Sequence, residues 1–398
     1  MKRIIFHIDV NNAFLSWTAV KLLKSGYGID IRNIPSVIGG DESSRHGIVL
    51  AKSPVAKKYG IVTAETLYQA RKKCPWLKTF PPDRELYREM SKNMIDYISN
   101  YSPDLEQFSI DECFLDLTGT HYLYDDIISL AYKIKDEIYK NFGFTVNIGI
   151  GNNKLCAKMA SDFEKPNKVH TLFDEEVKEK MWPLPIDDLF GVGKKTSEKL
   201  KKMGLNTIGD VAKENPYKLV RLFKSYGYDL WNKANGIDES VVDSTISENK
   251  SISTSITFDH DTDDIDYLKN ILLKQSDEIG RQLRKKKMYA YVIAVTFKTF
   301  DFNSYSKQIT LDYPICSNKD IYDNVIDILY KSWDFEKIRN IGIRLSKLTN
   351  DRIIQNDLFN IRESKLEQEK VQNALDKIKD KYGSDIINPA SMMMNKKE

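Results

Sequence analysis

Cysteine is scarce in this chain. Its 398 residues hold four, Cys74, Cys113, Cys156 and Cys316, far apart and with no CxxC pair. That pattern excludes a disulfide-stapled scaffold and a zinc knuckle, and predicts reduced thiols in a cytoplasmic protein. Long apolar runs are missing too: none approaches the roughly 20 residues that cross a bilayer, so no membrane association is expected. The chain opens on a strand-like segment with no charged-then-apolar leader. Net charge is small, +3, so affinity for a polyanion must come from local patches. No internal repeat or long low-complexity tract is visible. The length exceeds one ordinary core and predicts about two to four domains.

The informative residues are Phe6-His7-Ile8-Asp9 and the run Ser109-Ile110-Asp111-Glu112-Cys113-Phe114-Leu115-Asp116. Asp9, Asp111 and Glu112 sit in short apolar segments that would normally be buried. A buried carboxylate is costly unless it is paired or holds a metal. Three converging carboxylates suit a pair of hard divalent cations such as Mg²⁺. Two-ion sites of that kind catalyse phosphoryl and nucleotidyl transfer. Neighbours on an ideal strand face opposite sides, so Asp111 and Glu112 share a site only where the chain bends. Taken alone, each residue reads better as an ordinary acid, Asp111 and Glu112 in a solvated turn and Asp9 at a strand edge. The set, flanked by apolar β-formers, favours the metal site.

Periodicity predicts a buried strand over 3–10, a helix over 12–23, short strands at 37–40 and 47–51, and short helices at 54–59 and 65–72. A long helix over 83–101, a strand pair near 105–108 and 113–117, a helix over 123–141 and a strand over 145–150 follow. This β–α–β–β–α–β order predicts an α+β sheet with helices on one face, interrupted by an insertion over 27–77. Short helices rich in Gly and Lys fill 182–236, and 238–250 reads as a linker. A second α+β unit spans 251–348, with helices over 265–286 and 320–332 and strands over 289–297, 305–311 and 338–345. Beyond Asn350 lies a charged, helix-prone tail whose stretch 364–381 reads as an exposed helix.

With these residues in place the chain resembles the Y-family, lesion-bypass DNA polymerases, in their DNA polymerase IV-like branch. The Ser109-Ile110-Asp111-Glu112 run with its apolar flank matches the family signature, as does the opening Ile8-Asp9-Val10-Asn11-Asn12, and the likeness covers residues 3–359. It implies a multidomain α+β right hand: a palm (1–12 and 78–172), small fingers (13–77), a helical thumb with a helix-hairpin-helix (173–237), a linker (238–250), a little finger (251–349) and a tail (350–398). The implied activity is template-directed addition of dNTPs to a primer 3′-hydroxyl by two-metal-ion nucleotidyl transfer. It would act as a monomer on primer-template DNA, with low processivity and no proofreading. Two Mg²⁺ ions would be held by Asp9, Asp111, Glu112 and the Val10 carbonyl.

The resemblance assigns further roles. Phe14, five residues after Asp9, takes the place of an aromatic gate that clashes with a ribose 2′-hydroxyl. Ala13 before it is usually aromatic in relatives. Lys165, in Glu164-Lys165-Pro166-Asn167, matches a triphosphate-binding lysine. The fingers' Tyr-x-Ala-Arg run is Pro54-Val55-Ala56-Lys57 here, so Lys57 keeps the charge without the bidentate fork of Arg. Gly191, Gly193, Lys194 and Lys195 lie in a helix-hairpin-helix pattern that would hold a DNA phosphate at a helix N-terminus. Arg281, Arg284, Lys285, Lys286 and Lys287 put five cations in seven residues. That exceeds what compensates a helix dipole and favours phosphate binding. Gln355-Asn356-Asp357-Leu358-Phe359 matches the QxxLF peptide of sliding-clamp clients, with Leu358 and Phe359 filling a pocket and Gln355 at its rim.

Two rivals compete with this. Gly39-Gly40-Asp41-Glu42 resembles part of a cyclase signature, but Ser43 replaces its Phe and the run reads as a turn. A cyclase needs no duplex grip. A non-catalytic DNA-binding adaptor recruited by the clamp needs no carboxylate triad.

Overall fold

The structure is a computed structural model describing residues 2–41, 47–245, 250–351, 361–383 and 386–387, with the backbone alone for 361–369. The chain divides into two compact units, Met1–Ile246 and Ser247–Glu398.

In the first unit β1 (Ile5–Val10) leads into α1 (Ala13–Lys24). Then come β2 (Ser36–Gly39), β3 (Val49–Lys52), α2 (Pro54–Lys58), α3 (Leu67–Lys73) and β4 (Lys78–Phe80). Next are α4 (Arg84–Ile98), β5 (Leu105–Gln107), β6 (Glu112–Asp116), α5 (Ile127–Phe142), β7 (Val146–Gly151), α6 (Lys154–Asp162) and β8 (Val169–Leu172). Helices α7 (Lys194–Lys202), α8 (Ile208–Lys213), α9 (Pro216–Phe223) and α10 (Ser225–Ala234) complete it. The second unit holds β9 (Ser251–Thr262), α11 (Ile265–Lys285), β10 (Tyr289–Thr299), β11 (Ser304–Ile315), α12 (Asn318–Ser332), β12 (Ile338–Thr349) and α13 (Ile361–Tyr382).

Side-chain caps set several helix starts. Asp83 accepts from the Leu86 N–H, Asp126 from Ser129 and Asn153 from Cys156, so α4 and α5 begin later than periodicity alone predicts. Gly143, at φ 81, closes α5 in the left-handed region.

The main sheet has order β5-β6-β1-β7-β8, with β1 antiparallel to both neighbours and β8 parallel to β7. One face packs Phe6, Ile8 and Val10 with Trp17, Tyr87, Met94, Ile134 and Ile138 from α1, α4 and α5. The expectation of helices on one face alone is corrected here. Helix α6, absent from the periodicity reading, covers the opposite face, where Ile5 and Phe114 meet Ala157. A Cβ on Gly149 would lie 1.9 Å from the Ala157 carbonyl oxygen, so only glycine permits this approach. The small sheet β3-β2-β4 has its own core around Val37, Val49, Leu67 and Leu77. Helices α7–α10 share a third core with α6, through Leu155, Met159, Leu200, Val211 and Leu230.

Residues 238–245 have no regular structure and lie along the first unit. Arg3 donates to the Ser240 carbonyl and the Asp243 N–H to Glu106. In the second unit the antiparallel sheet β11-β10-β12-β9 packs on α11 and α12. Helix α13 is not freely exposed, as the tail was expected to be. Lys379 is buried against Asp277, Asp376 pairs with Arg284 and Asp380 with Arg281, all on α11.

Candidate active site

Strand alternation divides β1 between two environments. Phe6, Ile8 and Val10 enter the core, while His7 and Asp9 face α6. Directly across the antiparallel ladder Asp9 opposes Glu112 on one side and Asn147 on the other. Opposed residues share a face, so the register alone puts Asp9 and Glu112 side by side. Asp111 precedes β6 in a bend: the Phe108 and Ser109 N–H groups both donate to the Glu112 carbonyl, and the Val10 N–H donates to the Asp111 carbonyl. The hydroxyl of Ser109 donates to Asp111 Oδ1 at 2.7 Å. This is the bend that two adjacent carboxylates require.

Each of two carboxylates faces a lysine. Lys165 Nζ lies 2.5 Å from Asp9 and 2.8 Å from Asp162. Burial lifts the Asp9 carboxyl to about 6 against the pull of Lys165, with Glu112 and Asp111 adding to the rise. Burial opposes the Lys165 charge, but Asp9 and Asp162 outweigh it and raise its ammonium above the ordinary range. Lys158, buried on α6, donates to Glu112 at 2.9 Å. His7 Nε2 stands 3.9 Å from Glu112, but this is no ion pair. Burial, then the charges of Lys158 and Lys165, hold the imidazole well below its usual range. The Ser161 hydroxyl donates to the Lys158 carbonyl, so His7 Nδ1–H donates to Ser161 and Nε2 carries the lone pair.

Asn147 pins the Lys165 segment. Its amide donates to the Ser161 and Glu164 carbonyls, and its Oδ1 accepts from Asn11 and from the Lys168 N–H. Asn11 in turn accepts from the Asn167 N–H.

Asp9, Asn11, Asp111, Glu112 and Lys165 line a cleft of about 790 Å³ that also meets Val10, Ala13, Pro54 and Lys57. Lys57 therefore stands at the cleft wall, as the sequence predicts. Lys52 joins it, its ammonium lowered by burial and by Lys57. Arg32 also lines the cleft, with its guanidinium held by Asp30 and the Gly143 carbonyl. Phe14 is half-buried, stacked on Tyr87 at 4.5 Å, and does not itself line the cleft. Among the described residues no three His, Cys, Asp or Glu side chains are drawn together closely enough to hold an ion. Lysines neutralise Asp9 and Glu112 pairwise instead. The donor chemistry still fits a hard cation: Asp9 and Glu112 opposed across β1 and β6, Asp111 in the adjoining bend, and burial lifting the Asp9 carboxyl to about 6.

Gly191 adopts φ 91 and Gly193 caps α7, leaving Lys194 and Lys195 exposed on its first turn. In the second unit Lys285, Lys286 and Lys287 are exposed. Arg284 departs from the expectation of a phosphate ligand. Its guanidinium is nearly buried, held bidentately by Asp376 and bonded to the Cys316 carbonyl and Asn318. Arg281 pairs with Asp380. Gln355, Leu358 and Phe359 lie outside the described residues.

Sequence reasoning missed Lys158, Asn147, Asn11 and Lys52. The signal that could have found Lys158 is the four-residue spacing of Lys154, Lys158 and Asp162 along α6, although the residues from Leu155 to Ser161 are all buried.

Comparison with known proteins gives a consistent picture. A family model described as the impB/mucB/samB family matches residues 8–162, its C-terminal domain 249–358, and the IMS family HHH motif 174–205. "DNA polymerase IV" of Clostridium acetobutylicum is 44% identical over 398 residues, covering 100% of both chains. "DNA polymerase IV 1" of Bacillus subtilis is 34% identical, covering 97% of this chain and 92% of its own. A solved "Y-family DNA polymerase chimera Dbh-Dpo4(243-245)-Dbh" shares the fold at TM-score 0.76 and 22% identity, over 87% of this chain and 100% of that one.

Proposed function

The chain belongs to the impB/mucB/samB family, the Y-family DNA polymerases, and on that premise we propose how its own residues carry the reaction. It is a DNA-directed DNA polymerase of the translesion type with a multidomain α+β fold. Divalent metal, primer-template DNA and dNTPs are what such an enzyme uses. No described helix is long and apolar enough to cross a membrane.

The palm is taken as 1–12 and 78–172, the fingers as 13–77, the thumb as 173–237, and the little finger as 251–349. The observation that carries the reading is the Asp9–Glu112 pair across β1 and β6, with Asp111 in the adjoining bend, on a cleft whose other wall bears Lys52 and Lys57. Asp9, Asp111, Glu112 and the Val10 carbonyl would hold two Mg²⁺ ions, which when bound would supply the charge that activates a primer 3′-hydroxyl and neutralises a triphosphate. To serve, Asp9 must be ionised and released from its Lys165 partner. Lys165 then turns its ammonium to the phosphates, joined by Lys57 and Lys52. Lys158 keeps Glu112 aimed into the cleft from below. Phe14, held by its stack on Tyr87 just behind the cleft residue Ala13, would exclude a 2′-hydroxyl where a bound sugar reaches it.

Gly191, Gly193, Lys194 and Lys195 would grip a duplex phosphate, and Lys285, Lys286 and Lys287 the backbone elsewhere. Leu358 and Phe359 would seat the chain on a sliding clamp, with Gln355 at the pocket rim. Nucleotide consumption tests the reading: dNTPs consumed only with primer-template support it. GTP consumed alone points to a cyclase, and no consumption to an adaptor.

A further inference from the structure

Positive charge on this chain gathers in a few stretches, and one of them includes the cleft residues Lys52 and Lys57. Residues 47–80 carry seven cations and one carboxylate, Glu65, a surplus of six where the whole chain has a surplus of three. Glu65 is occupied by Lys73 and the Val62 N–H. Lys58, Lys72 and Lys78 are exposed and pair with no carboxylate among the described residues. The same surface displays aromatic rings: Trp76 is 60% exposed and Tyr68 68%. Neither ring belongs to the local core around Val37, Val49 and Leu67. Tyr59 meets Trp76 edge-on at 5.7 Å, and Lys72 Nζ lies 4.5 Å over the Tyr68 ring. Two large exposed rings thus stand outside the local core, among ammonium groups that have no carboxylate partner among the described residues.

We propose that Trp76 and Tyr68, with Lys58, Lys72 and Lys78, form a stacking platform for single-stranded nucleic acid, the unpaired template arm ahead of the cleft. The inference rests on the polymerase reading for the identity of that strand. Charge complementarity selects a polyanion over an apolar partner. Exposed flat rings select a single strand over a duplex, whose bases are already stacked on one another. Position selects the template arm: α2 lends Pro54 and Lys57 to the cleft wall, and its next residues are Lys58 and Tyr59, the latter packed on Trp76. Chain continuity thus joins the platform to the cleft. Stacking of this kind tolerates any sequence, since every base has a face.

The test measures binding by the full-length protein to two labelled primer-templates. One has a long unpaired template arm; in the other the arm is trimmed to the templating base. The wild type should bind the long arm more tightly, with a steeper loss of affinity in salt. Trp76→Ala combined with Tyr68→Ala should weaken long-arm binding by roughly tenfold while leaving trimmed-arm binding as it was. Trp76→Phe with Tyr68→Phe should retain the preference, which shows that the alanine loss is not misfolding. A wild type indifferent to the arm, or an alanine variant that loses affinity equally for both, would overturn the proposal. Because binding is read without nucleotide, arm preference in a protein that extends no primer would sink the polymerase reading and leave the platform standing.

Discussion

Lys158 on α6 donates to Glu112 on β6 at 2.9 Å, so a buried cation aims one of the cleft's carboxylates from the face opposite the main core. The rings of Phe108 and Phe190 flank the same ammonium, at 5.7 and 5.3 Å. Lys158→Met leaves Glu112 short of its partner. A hydrogen bond to a charged group contributes about 1.5–3 kcal/mol, so extension should slow by roughly tenfold or more. Lys158→Arg should recover part of that loss. An unchanged rate in the Met variant would remove Lys158 from the account.

Protons compete with metal at Asp9. Its carboxyl sits at about 6, above the usual range, because burial disfavours the charge. The protonated form therefore accumulates as pH falls through that value, and extension should decline there. Cation binding needs the carboxylate, so raising Mg²⁺ should move the acid limb to lower pH. A limb that ignores Mg²⁺ would show that Asp9 does not ligate.

Phe14→Ala should raise ribonucleotide insertion relative to deoxyribonucleotide insertion, read by single-nucleotide kinetics. The Tyr87 stack at 4.5 Å fixes the ring, and truncation removes it outright. Sugar discrimination equal to wild type would sink the gate.

The two halves of the basic cluster should behave differently. Replacing Lys285, Lys286 and Lys287 by Ala should lower the salt slope of DNA binding, by about 0.9 for each phosphate that is no longer neutralised. Arg284→Ala breaks a nearly buried bidentate pair with Asp376 and should instead cost about 3 kcal/mol of stability, read by denaturant unfolding.

Leu358→Ala with Phe359→Ala should abolish clamp binding and leave distributive synthesis intact. Clamp affinity that survives the change would rule the peptide out.

The sequence made the carboxylates legible because acids among apolar β-formers violate the usual rule of burial, and a violation is visible without a structure. Asp111 beside Glu112 also forced the expectation of a bend. Lys158 was invisible for the opposite reason. Helix α6 carries Lys154, Lys158 and Asp162 at four-residue spacing, which in sequence reads as an ordinary solvated face, yet Leu155 to Ser161, Lys158 included, are buried. Asn147 reads as one polar residue in a strand, and its hydrogen bonds to Asn11, Ser161, Glu164 and Lys168 all reach beyond its neighbours in sequence. Arg284 misled because charge density records cations, not their partners. Asp376 lies 92 residues away on a helix that contributes nothing to the apolar core of its unit among the described side chains.

The central claim is that Asp9, Asp111 and Glu112 form the metal-dependent centre of DNA synthesis. The most direct measurement is primer extension with Mg²⁺ and single dNTPs on plain and abasic templates. The Asp111→Ala, Glu112→Ala double variant runs beside the wild type, and DNA binding is measured for both. The account predicts templated extension by the wild type, and in the variant none, with DNA binding retained. Extension that survives in the variant, or a wild type that binds DNA and extends nothing, would contradict it.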